Sequence, residues 1–357
     1  MKVIAYPADQ GGCGFYRLIH ACRTLIAQGA DVDYVVHDDP EDRQLHALWH
    51  EQPDGSIVVR DVVAPDADVV VLQRPLQANV AGSIPILQAK GVRVVVEIDD
   101  DFEHISRRNV SWSSVQPHLN PARNHTHLMR ACEQADLVTV STPALAAVYG
   151  RHGRVQVIPN CVPESYLMIR QDPHDDLYVG WSGSTQTHPE DLQVTGGGVA
   201  RAIEQHPRAK MAVVGTGVGV KSRLGLAEIP LASGWRTLPD YPDAVAQFDV
   251  GIVPLERSLF NEAKSWLKGL EYAAVGVPFV ASPTQQYRDL VDQGAGFLAD
   301  SPRQWQKLVA HLLRDDDFRA EAAARGRAVA ERWTIEANVE RWTEAWSKAL
   351  VNTACTA

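Results

Sequence analysis

Residues 260–282 read FNEAKSWLKGLEYAAVGVPFVAS. The stretch passes from a loop into an amphipathic helix, then a Gly-Val-Pro turn and a short apolar strand. That is the helix-to-strand half of a βαβ unit in a parallel sheet. Lys264, Ser265 and Trp266 are expected in the first turn of the helix, where the dipole favours an anion and disfavours a lysine. A phosphate would reconcile the two. Glu271 lies two turns along the same face, where a carboxylate can accept hydrogen bonds from sugar hydroxyls such as those of ribose. A surface helix with a Lys268 to Glu271 pair is the alternative.

Outward from this segment the same alternation recurs. In the first half, KVIAY, DVDYVV, DVVVLQ, RVVVEID, LVTVS and VQVIP are Val- and Ile-rich runs separated by helix-period segments. In the second half LYVGWSG, KMAVVGTG, DVGIVPL, PFVAS and GFLA repeat the pattern. Continuous apolar strands alternating with helices predict parallel sheets covered on both faces, hence an α/β chain of two Rossmann-like domains. Two domains also suit 357 residues, more than one core usually supports. The boundary falls in NCVPESYLMIRQDPHDD, where prolines and acidic residues interrupt the rhythm. This gives domains over 1–165 and 175–335. A terminal helix over 336–357, with Trp342 and Trp346 on one face, is expected to pack back on the first domain.

Composition narrows the function classes. The hydrophobic fraction of 45% and the charged fraction of 22% are those of an ordinary globular protein. A net charge of −10 argues against a broad electrostatic grip on nucleic acid. The cysteines, at 13, 22, 132, 161 and 355, are odd in number and form no Cys-x-x-Cys pair, so neither a disulfide frame nor a zinc site is indicated. MKVIAYPADQGG is too short and too polar for a signal peptide or a membrane span, and a cytoplasmic location without stable membrane insertion is expected.

Four further stretches can carry chemistry. DQGGCGFYRL, residues 9–18, joins a strand to a helix; Gly12 and Gly14 permit close backbone approach, but the spacing is not G-x-G-x-x-G. VVVEIDDDFEHIS ends a strand in Asp99, Asp100 and Asp101, at the carboxyl edge where open α/β sheets bind ligands; helix capping is the plainer role for such aspartates. Asp99 and Asp100 are candidate catalytic groups, to orient or deprotonate an acceptor. Arg107, Trp112 and His127 in the long loop that follows are candidate acceptor contacts. In VGWSGSTQTHPEDL, Gly183, Ser184, Thr185 and His188 can offer donors to a phosphate at the start of a helix.

Together ADLVTVSTPAL, VQVIPNCV, VGWSGSTQTH, FDVGIVPL and KSWLKGLEYAAVGVPFVAS resemble, in order and spacing, the nucleotide-sugar glycosyltransferases of GT-B architecture, nearest the retaining family-4-like group (glycosyl transferases group 1). The resemblance implies two Rossmann-like domains facing across a cleft. It implies transfer of a hexosyl or pentosyl unit from a UDP- or GDP-sugar to an acceptor hydroxyl, with retention and without a metal or other cofactor. Glu271 would hold the donor ribose, Lys264 to Trp266 would face the diphosphate, and Gly12 and Gly14 would approach the donor from the other domain. Lys264, His188 or Arg17 would neutralise the diphosphate, in place of the usual Arg and Lys of the second domain's first loop. The family's first glutamate is replaced by Ala263, with Glu262 adjacent. The acceptor stays open among glycan, lipid, protein, small molecule and a hydroxylated DNA base. A non-catalytic nucleotide-sugar binder and a GT-B epimerase or phosphorylase remain alternatives.

Overall fold

The computed structural model describes residues 1–39, 43–115 and 123–351, so Cys355 lies outside the described residues. The chain forms two compact units.

The first unit holds Met1–Ile105, Ser111–Asn160 and the chain from Ile335 onward. Its six-stranded sheet is built from β1 (Val3–Tyr6), β2 (Val32–Tyr34), β5 (Val69–Gln73), β6 (Arg93–Ile98), β7 (Leu137–Val140) and β8 (Val155–Val157), in the order β2-β1-β5-β6-β7-β8. Every pairing in it is parallel, with Val3 opposite Val69 and Val69 opposite Arg93. The apolar runs follow from this: all five residues of β5 are buried, because helices and loops cover both faces. The helix Glu340–Val351 supplies Trp342 and Trp346, both 0% exposed, to this core.

The hairpin β3 (Ala47–Glu51) and β4 (Ile57–Val62) has no counterpart among the runs expected from the sequence. Its alternating exposure marks a surface hairpin without a long apolar run. It packs on the helix Ala78–Ala89 at Gly82, where a Cβ would stand 2.7 Å from a Val59 methyl.

The second unit holds Ser106–Val110 and Cys161–Thr334. Its strands are β9 (Leu177–Ser184), β10 (Ala209–Thr216), β11 (Leu231–Ala232), β12 (Val250–Val253), β13 (Phe279–Ala281) and β14 (Phe297–Leu298), in the order β11-β10-β9-β12-β13-β14, again all parallel. β11, two residues long, is too short to leave a hydrophobic pattern. The segment expected to link the domains is packed: the 3-10 turn Glu164–Met168 is held by Arg327, whose guanidinium donates to the carbonyls of Leu167 and Ile169. Among the described residues, no helix is long and apolar enough to cross a membrane.

Candidate functional site

The opening segment resolves into two helices, Leu259–Glu262 and Leu267–Ala274. Trp266 is the N-cap of the second, so Lys264 and Ser265 occupy the connection before it rather than its first turn. The Lys264 ammonium lies 4.3 Å from the centre of the Phe260 ring. From the second helix Lys268, Glu271 and Tyr272 reach the end of β9.

Ser182 on β9 organises this end of the sheet. Its N–H donates to Tyr272 Oη at 2.9 Å, and its hydroxyl lies 3.0 Å from both Tyr272 Oη and Tyr241 Oη. Tyr241 in turn donates to Glu271 Oε2 at 2.8 Å. Burial and the neighbouring Glu271 carboxylate raise the Tyr241 pKa well above its ordinary value, so the phenol keeps its proton and serves as donor. Lys268 Nζ donates to the Ser182 carbonyl at 2.5 Å and meets its hydroxyl at 3.3 Å. Glu271, 5% exposed, is thus fixed by a neighbour that sequence spacing did not single out. The signal available was a tyrosine opening the helix that leads into β12.

Gly183 and Ser184 complete β9, and Thr185 opens a turn rather than a helix; the next helical turn is the 3-10 segment Asp191–Thr195. The expected helix N-terminus at this phosphate loop is therefore absent. Thr185 Oγ1 donates to the Val218 carbonyl at 2.8 Å, and Ser184 Oγ accepts from the Gln186 N–H at 3.1 Å. Gly215 on β10 has φ +117°, and a Cβ there would stand 2.3 Å from the Gly183 carbonyl oxygen. Beside the turn, His188 Nδ1 lies 2.8 Å from Asp191 Oδ2, while Asp191 Oδ1 accepts from Glu256 N–H at 2.9 Å and Asn261 Nδ2 at 2.7 Å. Arg107 belongs here too, in a segment tied to the same turn by Asn109 Nδ2 to the Thr187 carbonyl at 2.8 Å and Arg108 to Glu190 at 3.2 Å.

The charged groups here act on one another. Burial lowers the His188 pKa, Asp191 pulls it back up, and the charges of Lys264 and Lys268 add to the lowering. Burial also lowers Lys268, opposed by Glu271 and reinforced by Lys264. Lys264 and Lys268 disfavour each other's charge, and the Asp191 and Glu271 carboxylates offset them.

A pH dependence follows. Below about 6.5 an unfolded chain protonates His188 while the folded chain resists, so stability falls as pH drops through that range. For Asp191, burial raises the pKa but His188 and the N–H donors outweigh it, so its contribution is lost only at lower pH, as the carboxylate is protonated. His188→Asn keeps a donor for Asp191 and removes the titration. Urea denaturation at pH 7.5 and 5.5 should show a smaller stability loss for the variant than for wild type; equal losses would exclude His188 as the source.

In the first unit, the candidate residues divide. Gly12–Gly14 form a short helical turn that runs into a π-helix, Phe15–Ile19. A Cβ on Gly14 would stand 1.8 Å from the Asp9 carbonyl oxygen, so backbone packing fixes that glycine; at Gly12 the nearest atom would be 4.0 Å away, in the Tyr16 ring. Arg17 is 1% exposed. Its Nε donates to Glu97 at 2.7 Å and its Nη1 to the Ile158 carbonyl at 2.6 Å and Asn160 Oδ1 at 2.7 Å. It is a core ion pair, removed from the role of a diphosphate partner.

The aspartate run splits into separate environments. Asp99 Oδ1 accepts from Arg74 Nε at 2.6 Å, and Arg74 Nη2 lies 2.9 Å from Cys13 Sγ. Burial pushes Asp99 up, but Arg74 outweighs it and holds the carboxyl below its usual range, which makes Asp99 a weak base. Asp101 accepts from the N–H groups of Glu103 and His104 and from His104 Nδ1 at 2.7 Å, closing a local turn; no helix starts here, so the helix-capping role open to it from the sequence is not taken. Asp100 is partly exposed between them. Trp112 opens the helix Trp112–Val115 and His127 lies on Asn124–Gln134; Asn124 Nδ2 joins the two by donating to the Ser114 carbonyl at 2.8 Å. Among the described residues no group of three His, Cys, Asp or Glu is placed to hold a metal ion.

Residues 177–315 match the family model for glycosyl transferases group 1. A curated relative, the D-inositol 3-phosphate glycosyltransferase of Thermobispora bispora, is 30% identical over 132 residues, which are 36% of this chain and 30% of that protein's length. Among solved structures, sucrose-phosphate synthase from Thermosynechococcus elongatus matches 99% of this chain and 100% of its own at a TM-score of 0.65 and 15% identity. Anabaena Alr3699/HepE in complex with UDP matches 97% of this chain and 100% of its own at a TM-score of 0.60 and 17% identity. These likenesses carry the fold: two parallel-sheet units, as in GT-B structures.

Proposed function

We propose that this chain, of GT-B fold and with residues 177–315 matching glycosyl transferases group 1, moves a glycosyl unit from a nucleoside-diphosphate sugar to an acceptor hydroxyl. The observation that carries the reading is the buried Glu271, fixed by Tyr241, with Lys264, Lys268 and His188 in mutual electrostatic reach. In this reading Glu271 accepts bonds from the donor ribose, and Lys264 and Lys268 face the diphosphate, with the His188 ring beside them. The bond from the anomeric carbon to the diphosphate oxygen breaks, a bond to the acceptor oxygen forms, and the acceptor hydroxyl gives up its proton. Negative charge grows on the leaving diphosphate, where fixed positive groups lower the barrier. Retention at the anomeric carbon and independence from metal belong to the same proposal. Gly183, Ser184, Thr185, Ser265 and Trp266 border the donor, with Arg107 beside the same turn. Acceptor recognition is assigned to Trp112 and His127, and the orienting or proton-accepting role to Asp99 or Asp100.

The reading is supported by the UDP bound in the Anabaena HepE structure, and UDP-sugars are the first donors to test. A thermal-shift series with UDP, GDP and ADP, with and without magnesium, should single out one nucleotide. At 100 times its dissociation constant a ligand stabilises by about 2.7 kcal/mol, roughly 2–4 °C for a chain of this size. Release of free nucleotide from the matching sugar conjugate, with product analysis of the anomer, then tests transfer. No shift from any nucleotide would overturn the donor site.

A further inference from the structure

A separate cavity of about 440 Å³ opens in the second unit at the carboxyl ends of β12, β13 and β14, lined in part by Glu256, Glu262, Ser282, Thr284, Arg288 and Asp300. Its size is within the ~300–1,000 Å³ range of small-molecule sites. None of Ser182, Tyr241, Lys268 and Glu271 lines it; it adjoins the candidate donor site only through Glu256, whose N–H donates to Asp191.

Thr284 is the N-cap of the helix Gln285–Asp292 and makes no side-chain capping bond. It is 4% exposed, and its hydroxyl oxygen is buried without a hydrogen-bond partner. A buried hydroxyl left unmatched costs free energy that a ligand hydroxyl would recover. The charges around it select against an anion. Glu262 Oε2 already accepts from the Gln285 N–H at 3.3 Å, in the place a phosphate would take at this helix start. Arg257 is matched by both oxygens of Asp300 at 2.5 Å. The lining carboxylates, guanidinium groups and hydroxyls together supply both acceptors and donors, the requirement of a molecule whose every hydroxyl both gives and takes.

We propose that this cavity binds a neutral polyhydroxylated molecule of monosaccharide or cyclic-polyol size, with Thr284 and Glu262 as its hydrogen-bonding anchors. The test is saturation-transfer NMR on the full chain with glucose and myo-inositol as probes and inorganic phosphate as competitor. At least one probe should receive saturation, bind roughly five- to tenfold more weakly to Thr284→Val, and be neither displaced by phosphate nor affected by Glu271→Gln. Glu262→Gln replaces Thr284→Val should the latter melt early. No transfer to either probe, equal affinity in the anchor variants, displacement by phosphate, or loss in Glu271→Gln would each overturn the proposal.

Discussion

Arg17→Ala is expected to destabilise the first unit by about 3–5 kcal/mol, the range for removing one partner of a buried ion pair. Arg17 and Glu97 are each 1% exposed, and Glu97 also accepts from the Thr139 hydroxyl. Burial already pushes the Glu97 pKa up, with Arg17 opposing it. Without Arg17 the carboxyl rises further. A group raised in the folded state gives its stability below the unfolded pKa and loses it as pH rises, so the deficit of the variant should be larger at pH 8 than at pH 5. Denaturant melts at both values check this. The pair Arg17→Met with Glu97→Gln should recover much of the loss, since no uncompensated charge remains. A single variant that melts with wild type would show that Arg17 is not the centre of this core.

Glu271→Gln is expected to leave the melting temperature nearly unchanged while lowering kcat/KM for transfer about 30- to 150-fold. This corresponds to about 2–3 kcal/mol, the worth of hydrogen bonds to a charged group. Gln keeps the shape and still accepts from Tyr241, but loses one acceptor and the charge. The Kd for the free nucleotide should rise by a similar factor, because the ribose contact is made in the ground state. Tyr241→Phe should give a smaller effect in the same direction, by loosening Glu271 rather than removing it. An unchanged nucleotide Kd in Glu271→Gln would remove the ribose role.

The parallel strands were legible because buried β strands leave continuous apolar runs, as in β5 and β6. The hairpin and the two-residue β11 left no such run, for their residues face solvent at alternate or all positions. Glu271 lies on the helix expected from the sequence, whereas Lys264 falls in the connection before it, because the helix starts at Leu267. Tyr241 was not legible, since its partner lies 30 residues along the chain and only folding brings them together. Arg17, which the resemblance offered as a diphosphate partner, was misleading for a related reason: Glu97, distant in sequence, holds it inside. Asp99, Asp100 and Asp101 read as one acidic cluster, but Arg74 at φ +49° claims the first and a local turn claims the third.

Trp342 Nε1 donates to the Arg17 carbonyl at 2.6 Å, and Trp342 and Trp346 are both fully enclosed in the first unit. During synthesis, therefore, the amino-terminal sheet waits for the last helix, whereas nearly all of the second unit has already left the ribosome. The usual amino-to-carboxyl order of domain completion is reversed. In ribosome-stalled chains in which Thr334 has cleared the exit tunnel and the helix Glu340–Val351 has not, protease resistance should appear first over 161–334, and early resistance of the amino-terminal sheet would contradict this.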